Sequence, residues 1–95
     1  MVALEEAVME IIVNAGQSRS LCFEALHAAR QGNLDEAKNL LREADGYARQ
    51  AHKMQTKLIE QDAGEARQPM TLIMVHAQDH LMNSLLAREL SEEII

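Results

Sequence analysis

His76, Asp79 and His80 stand within five consecutive positions, with Gln78 between them and Asn83 just beyond. Imidazole titrates near neutrality, so a histidine offers a lone pair or a proton at pH 7. Three readings of the cluster are open. His76, Asp79 and His80 could ligate a metal, since one-turn spacing on a helix permits that. One histidine could be a nucleophile that accepts a group on a ring nitrogen, its tautomer fixed by a hydrogen bond at the other nitrogen. Or the residues are simply polar groups on a solvated face. His27 and His52 have no comparable neighbours and read as ordinary surface residues or seam-edge positions.

Three long helical patterns must position this cluster. The first runs from about Val2 to Gln31, with Leu4, Val8, Ile11, Ala15, Ser18, Cys22, Ala25 and Ala29 recurring at alternating spacings of four and three. That is a heptad seam. Gln31-Gly32-Asn33 stops it, because glycine and asparagine accept left-handed backbone at a helix end. The second starts near Leu34, capped by Asn33, with Asp35 and Glu36 in the first turn, where carboxylates complement the helix dipole. Its seam is Leu34, Ala37, Leu41, Ala44, Ala48, Ala51 and Leu58, interrupted by Gln55, and it ends near Ala63-Gly64. Gly46 lies inside this helix, costs about 1 kcal/mol relative to alanine, and reads as tolerated. A short loop, Gly64 to Gln68, leads to Pro69 in the first turn of a third helix that runs to Ile95. The expected fold is all-α, a single domain over 1–95, built as an antiparallel three-helix bundle.

The third helix has two apolar stripes when turned about 100° per residue. One contains Leu72, Val75, Met82, Leu86 and Leu90; the other, on the far side, contains Met74, Ala77, Leu81 and Leu85. One stripe suffices inside a three-helix subunit, so the second predicts homo-oligomerisation. Asp79 falls inside the first stripe. There it either reaches solvent at the edge, pairs with a cation, or meets its copies on an oligomer axis around a metal ion. Carboxylate oxygens suit a hard cation such as Mg²⁺.

Composition narrows the classes. The 95 residues are 47% hydrophobic but only 2% aromatic, so the core must come from aliphatic side chains and alanine. A chain this short buries only roughly two-thirds of its unfolded surface on its own, which again favours an oligomer. Nine basic against fifteen acidic residues, net charge −6, with no basic block among aromatics, argue against nucleic acid. Cys22 is the one cysteine, cannot close an intrachain disulfide, and reads as a small buried hydrophobe. The N-terminus, with Glu5 and Glu6, does not read as a signal peptide, and the apolar runs are too short to span a bilayer, so a cytoplasmic location is expected.

The string Val75-His76-Ala77-Gln78-Asp79-His80-Leu81-Met82 resembles the signature of a known family. This is the enzyme IIA component of the lactose/cellobiose/chitobiose class of the bacterial phosphoenolpyruvate-dependent sugar phosphotransferase system. Ile11 to Leu21 looks like the family's first helix, and Gln55 to Glu65 like the end of its second. The resemblance implies a homotrimer of three-helix subunits, nine helices in all. It implies that His76 carries a phosphoryl group, and that Asp79 and its symmetry mates hold a divalent metal, Mg²⁺ being the expected ion, at the trimer axis. Gln78 and His80 match the motif as supporting groups. Relatives often extend further at both ends, which bears on stability more than on chemistry.

The implied activity is a relay. Phosphorylated HPr, the histidine phosphocarrier protein, donates to His76, which passes the group to a cysteine of the cognate IIB component; the membrane IIC component is linked only indirectly. The sugar expected is a β-linked disaccharide, cellobiose or chitobiose ahead of lactose. The competing reading, from a different class, is a non-catalytic helical interaction module with His76, Asp79 and His80 as metal ligands.

Overall fold

The computed structural model describes residues 4–64 and 71–95. Three helices fill them: α1 (Leu4–Arg30), α2 (Leu34–Ala63) and α3 (Leu72–Ile94). No strand occurs among the described residues. The helices form an up-down-up bundle of 52 × 21 × 19 Å, in which α1 packs heavily on α2 and on α3 while α2 and α3 touch more lightly.

The α1–α2 turn is built as its residue types demand. Gly32 takes φ 83°, in the left-handed region. Its N–H donates to Ala29 O at 2.9 Å, and the Asn33 N–H donates to Ala28 O at 2.9 Å. These two bonds make a Schellman closure. Asn33 then caps α2: its Oδ1 accepts from the Glu36 N–H at 3.3 Å, and its Nδ2 donates to Glu36 Oε2 at 2.9 Å. At the start of α3, Thr71 is extended and its Oγ1 accepts from the Met74 N–H at 3.3 Å. The third helix thus opens at Leu72, later than expected, because a threonine cap satisfies its first free amide. Pro69 and the connection 65–68 lie outside the described residues, as do Val2 and the start of the first stretch.

The core has two apolar clusters. The first gathers Val8 and Ile11 of α1, Met54 and Leu58 of α2, and Met74 and Leu81 of α3, with alanines between them. The second gathers Leu21 and Cys22 of α1 and Leu41 of α2, with Ile95 packed against it. Small polar residues sit among these layers. Ser18 Oγ donates to Ala44 O at 2.9 Å, Ser84 Oγ donates to Leu81 O at 2.8 Å, and both serines are buried. Alanine and serine allow close helix approach, which explains a core that needs almost no aromatic volume.

Four positions differ from expectation. Leu34, the first residue of α2, is half exposed and lines an open hollow with Leu26, Ile94 and Ile95. Met54, not Gln55, takes the buried position on α2. On α1, Leu21 and Ala28 join the buried set, widening the seam where α1 serves two neighbours at once.

Candidate functional site

The third helix turns Met74, Ala77 and Leu81 inward, with Leu85 packed at their edge. The other stripe, Leu72, Val75, Met82, Leu86 and Leu90, faces outward along the protomer, with Leu72 86% and Leu86 54% exposed. Asp79 is exposed within this outward stripe. Among the described residues no cation lies within ion-pair distance of it. The reading in which Asp79 pairs with a lysine or arginine of its own chain therefore fails among those residues. Leu72, Ile73, Val75, His76 and Asp79 line a shallow hollow at the start of the stripe.

His76 and His80 share the edge of that stripe. His76 is exposed and His80 half-buried. Their Nε2 atoms lie 3.0 Å apart, with ring centroids at 4.3 Å and planes at 81°. A nitrogen pair this close needs one N–H and one lone pair, so each ring sets the other's tautomer. The backbone under both rings is regular α-helix from Leu72 onward, which fixes the rings relative to one another. One protomer can therefore present a lone pair on an exposed imidazole, held by a neighbouring imidazole.

Gln78 is not brought to His76. It turns to α2, where Gln55 Nε2 donates to its Oε1, so it ties the two most lightly packed helices together. Nor do His76, Asp79 and His80 form a closed ligand set: no group of three or more His, Cys, Asp or Glu side chains arranged for a metal occurs among the described residues. His27 and His52 are exposed, as expected.

A second polar element was not foreseen. Arg88 of α3 donates to Asp45 of α2 twice, Nε to Oδ1 at 2.6 Å and Nη2 to Oδ2 at 3.0 Å, and its Nη1 lies 3.4 Å from Glu92 Oε2. The Asp45 hydrogen bonds hold the Arg88 guanidinium above its usual range. The signal for it was present: Arg88 stands seven residues after Leu81, on the inward stripe, where a charge needs a partner. Cys22 is fully buried nearby, and burial pushes its thiol up, with Arg88 and Ser91 pulling partly the other way.

The family model for the PTS system lactose/cellobiose-specific IIA subunit matches residues 6–95. The chain belongs to this family. It is thus a IIA component of the phosphotransferase system, as its signature string implied. The N,N'-diacetylchitobiose-specific EIIA component of Escherichia coli K12 is 52% identical over 92 residues, covering 97% of this chain and 79% of that protein. The lichenan-specific enzyme IIA component of Bacillus subtilis is 42% identical over 97% of this chain and 84% of its own. Among solved structures, the cellobiose-specific enzyme IIA of Bacillus anthracis superposes with TM-score 0.93 at 36% identity, over 99% of this IIA chain and 86% of that one. The IIA(Chitobiose) structure in complex with HPr from Escherichia coli gives TM-score 0.84 at 49% identity, over 99% of this chain and 91% of that one. Among the described residues of this IIA subunit, no helix is long and apolar enough to cross a membrane.

Proposed function

We propose that this IIA subunit carries a phosphoryl group on His76 between HPr and a IIB component, in the uptake of a β-linked disaccharide of the chitobiose or cellobiose type. The observation that carries the reading is the exposed His76 ring, held by the Nε2–Nε2 contact of 3.0 Å on a rigid helix. The E. coli relative at 52% identity is chitobiose-specific, and a similar structure is a complex with HPr, which supports both the sugar class and the donor.

In this reading the Nε2 lone pair of His76 attacks phosphorus. The N–P bond at His76 forms as the N–P bond on the donor histidine breaks, and the donor imidazole leaves with its electron pair. His80, which first donates its Nε2 proton to that lone pair, is then free to donate to a phosphoryl oxygen. In the second transfer a IIB thiolate attacks, an S–P bond forms, and His76 recovers its lone pair. Such transfers depend on in-line positioning and charge stabilisation more than on further covalent groups. Gln78 acts at a distance, by fixing the pitch of α3 against α2 through Gln55.

The outward stripe of α3 is the proposed contact between copies in a trimer. Asp79 is one carboxylate per chain, so a divalent ion there, Mg²⁺ by donor hardness, requires copies to complete the ligand set. The ion would offset the mutual repulsion of the carboxylates and takes no part in the transfer.

The test is incubation with phosphoenolpyruvate, enzyme I and HPr, followed by intact mass. The expected result is one acid-labile phosphate per chain, absent in His76→Ala. A His76→Ala protein that still gained phosphate would overturn the assignment.

A further inference from the structure

The strongest feature the phosphoryl site does not use is the outer face of α2. Lys38, Arg42, Arg49, Lys53 and Lys57 recur there at spacings of four, seven, four and four, so five of the nine basic residues of an acidic chain share one helix face. The row spans about 28 Å at 1.5 Å per residue. Among the described residues none of the five forms an ion pair; Arg42 bonds only the Asn39 amide. Asp35 and Glu60 stand three residues beyond the two ends of the row, Glu43 and Asp45 stand within its span, and Asp45 is already paired with Arg88.

Gly46 is the second, independent observation. It fills the gap of seven in the row, four residues after Arg42. It is exposed in mid-helix, and a Cβ built there would meet nothing within 4 Å. No contact inside the protomer requires a glycine, yet the helix bears its cost of about 1 kcal/mol. Gly46 also lines a hollow with Asn14, Glu43, Tyr47 and Gln50, while Arg49 and Lys53 line the groove toward Leu85 on α3. Bare backbone between cations allows an opposing chain to approach closely.

We propose that this face docks an acidic protein segment, its carboxylates meeting the cation row and its backbone lying over Gly46. The row has no apolar anchor to enter a bilayer, and carboxylates flank it, which sets a lipid surface aside. The net charge of −6 does not prevent docking, because at physiological salt charges farther than about 8 Å are screened and the local row dominates. Docking here leaves His76 unused, so the proposal stands whether or not His76 carries phosphate.

The test titrates the assembled, ¹⁵N-labelled protein with a synthetic helical peptide bearing glutamates at four- and seven-residue spacings. A peptide with glutamine at those positions and anionic phosphatidylserine vesicles serve as parallel probes. The expected result is saturable binding of the glutamate peptide, with amide shifts confined to 38–57 and largest at Gly46. Affinity falls roughly tenfold or more in Arg49→Glu/Lys53→Glu and on raising the salt. Gly46→Leu, which leaves every charge in place, weakens binding by at least as much. Absence of binding, equal affinity of Gly46→Leu, shifts outside α2, or tighter binding to vesicles than to peptide would each overturn the proposal.

Discussion

The proposed chemistry concentrates in two rings one helical turn apart. With Nε2 atoms 3.0 Å apart, His76 and His80 cannot both present a proton at their contact. In the proposed transfer His80 is a positioning residue that also keeps a donor near the accepting nitrogen. His80→Ala should leave the protein able to gain phosphate at His76 while slowing transfer by roughly a hundredfold, the scale of a lost positioned donor. Rapid-quench kinetics with phospho-HPr resolves this, since a purely structural role would change stability and not the transfer rate of the folded protein. Cys22 gives a second prediction. Burial raises its thiol, so the folded state favours the protonated form more than the unfolded chain does. Its stabilising contribution is complete below the ordinary thiol range and is lost as pH rises from that range through the raised folded value. Denaturant melts of wild type should weaken with alkaline pH, and Cys22→Ala should flatten the dependence.

At the scale of elements, two glycines on one chain predict opposite outcomes. Gly32 holds φ 83° in the α1–α2 turn, where any side chain is strained even though space is open. Gly32→Ala should cost about 1 kcal/mol. Gly46 lies in regular helix with open space around it, so Gly46→Ala should add roughly 0.5–1 kcal/mol to the stability of the free protein. Urea midpoints of the two variants, compared with wild type, check both signs in one experiment. The α2–α3 contact is the lightest in the bundle and rests visibly on polar ties, Arg88 to Asp45 and Gln55 to Gln78.

The whole molecule poses the question of the outward face of α3. Leu72, Val75, Met82, Leu86 and Leu90 all lie on it, half or more of most side chains in water. This stripe is the proposed contact between copies, since fully burying an aliphatic side chain of this size is worth roughly 1.5–3 kcal/mol and each of these is still about half or more in water. Leu86→Asp should convert the proposed assembly to monomers in light scattering at unchanged helicity, because it adds a second carboxylate to the seam about two turns from Asp79. Asp79→Leu should do the reverse: the proposed assembly persists or strengthens, while the divalent metal proposed at Asp79, measured by elemental analysis of the purified protein, is lost relative to wild type. An Asp79→Leu protein with the same metal content as wild type would overturn the proposed site.

Much of this architecture follows from local rules. The Gly32-Asn33 stop and start, the alanine-rich seams and the existence of two apolar stripes on α3 were legible because each depends on residue type and period alone. So was the shared edge of His76 and His80, which a spacing of four on a helix dictates. The string from Val75 to Met82 carried the family, and the match over 6–95 bears it out. Other features belonged to the tertiary structure. Which of α3's two stripes faces inward, whether Gln78 serves His76 or Gln55, and what neutralises Arg88 all depend on how α3 is rotated against two other helices. Periodicity gives the angle between two side chains on one helix, but not the direction in which that helix is turned. That rotation is set by the sum of contacts from distant parts of the chain.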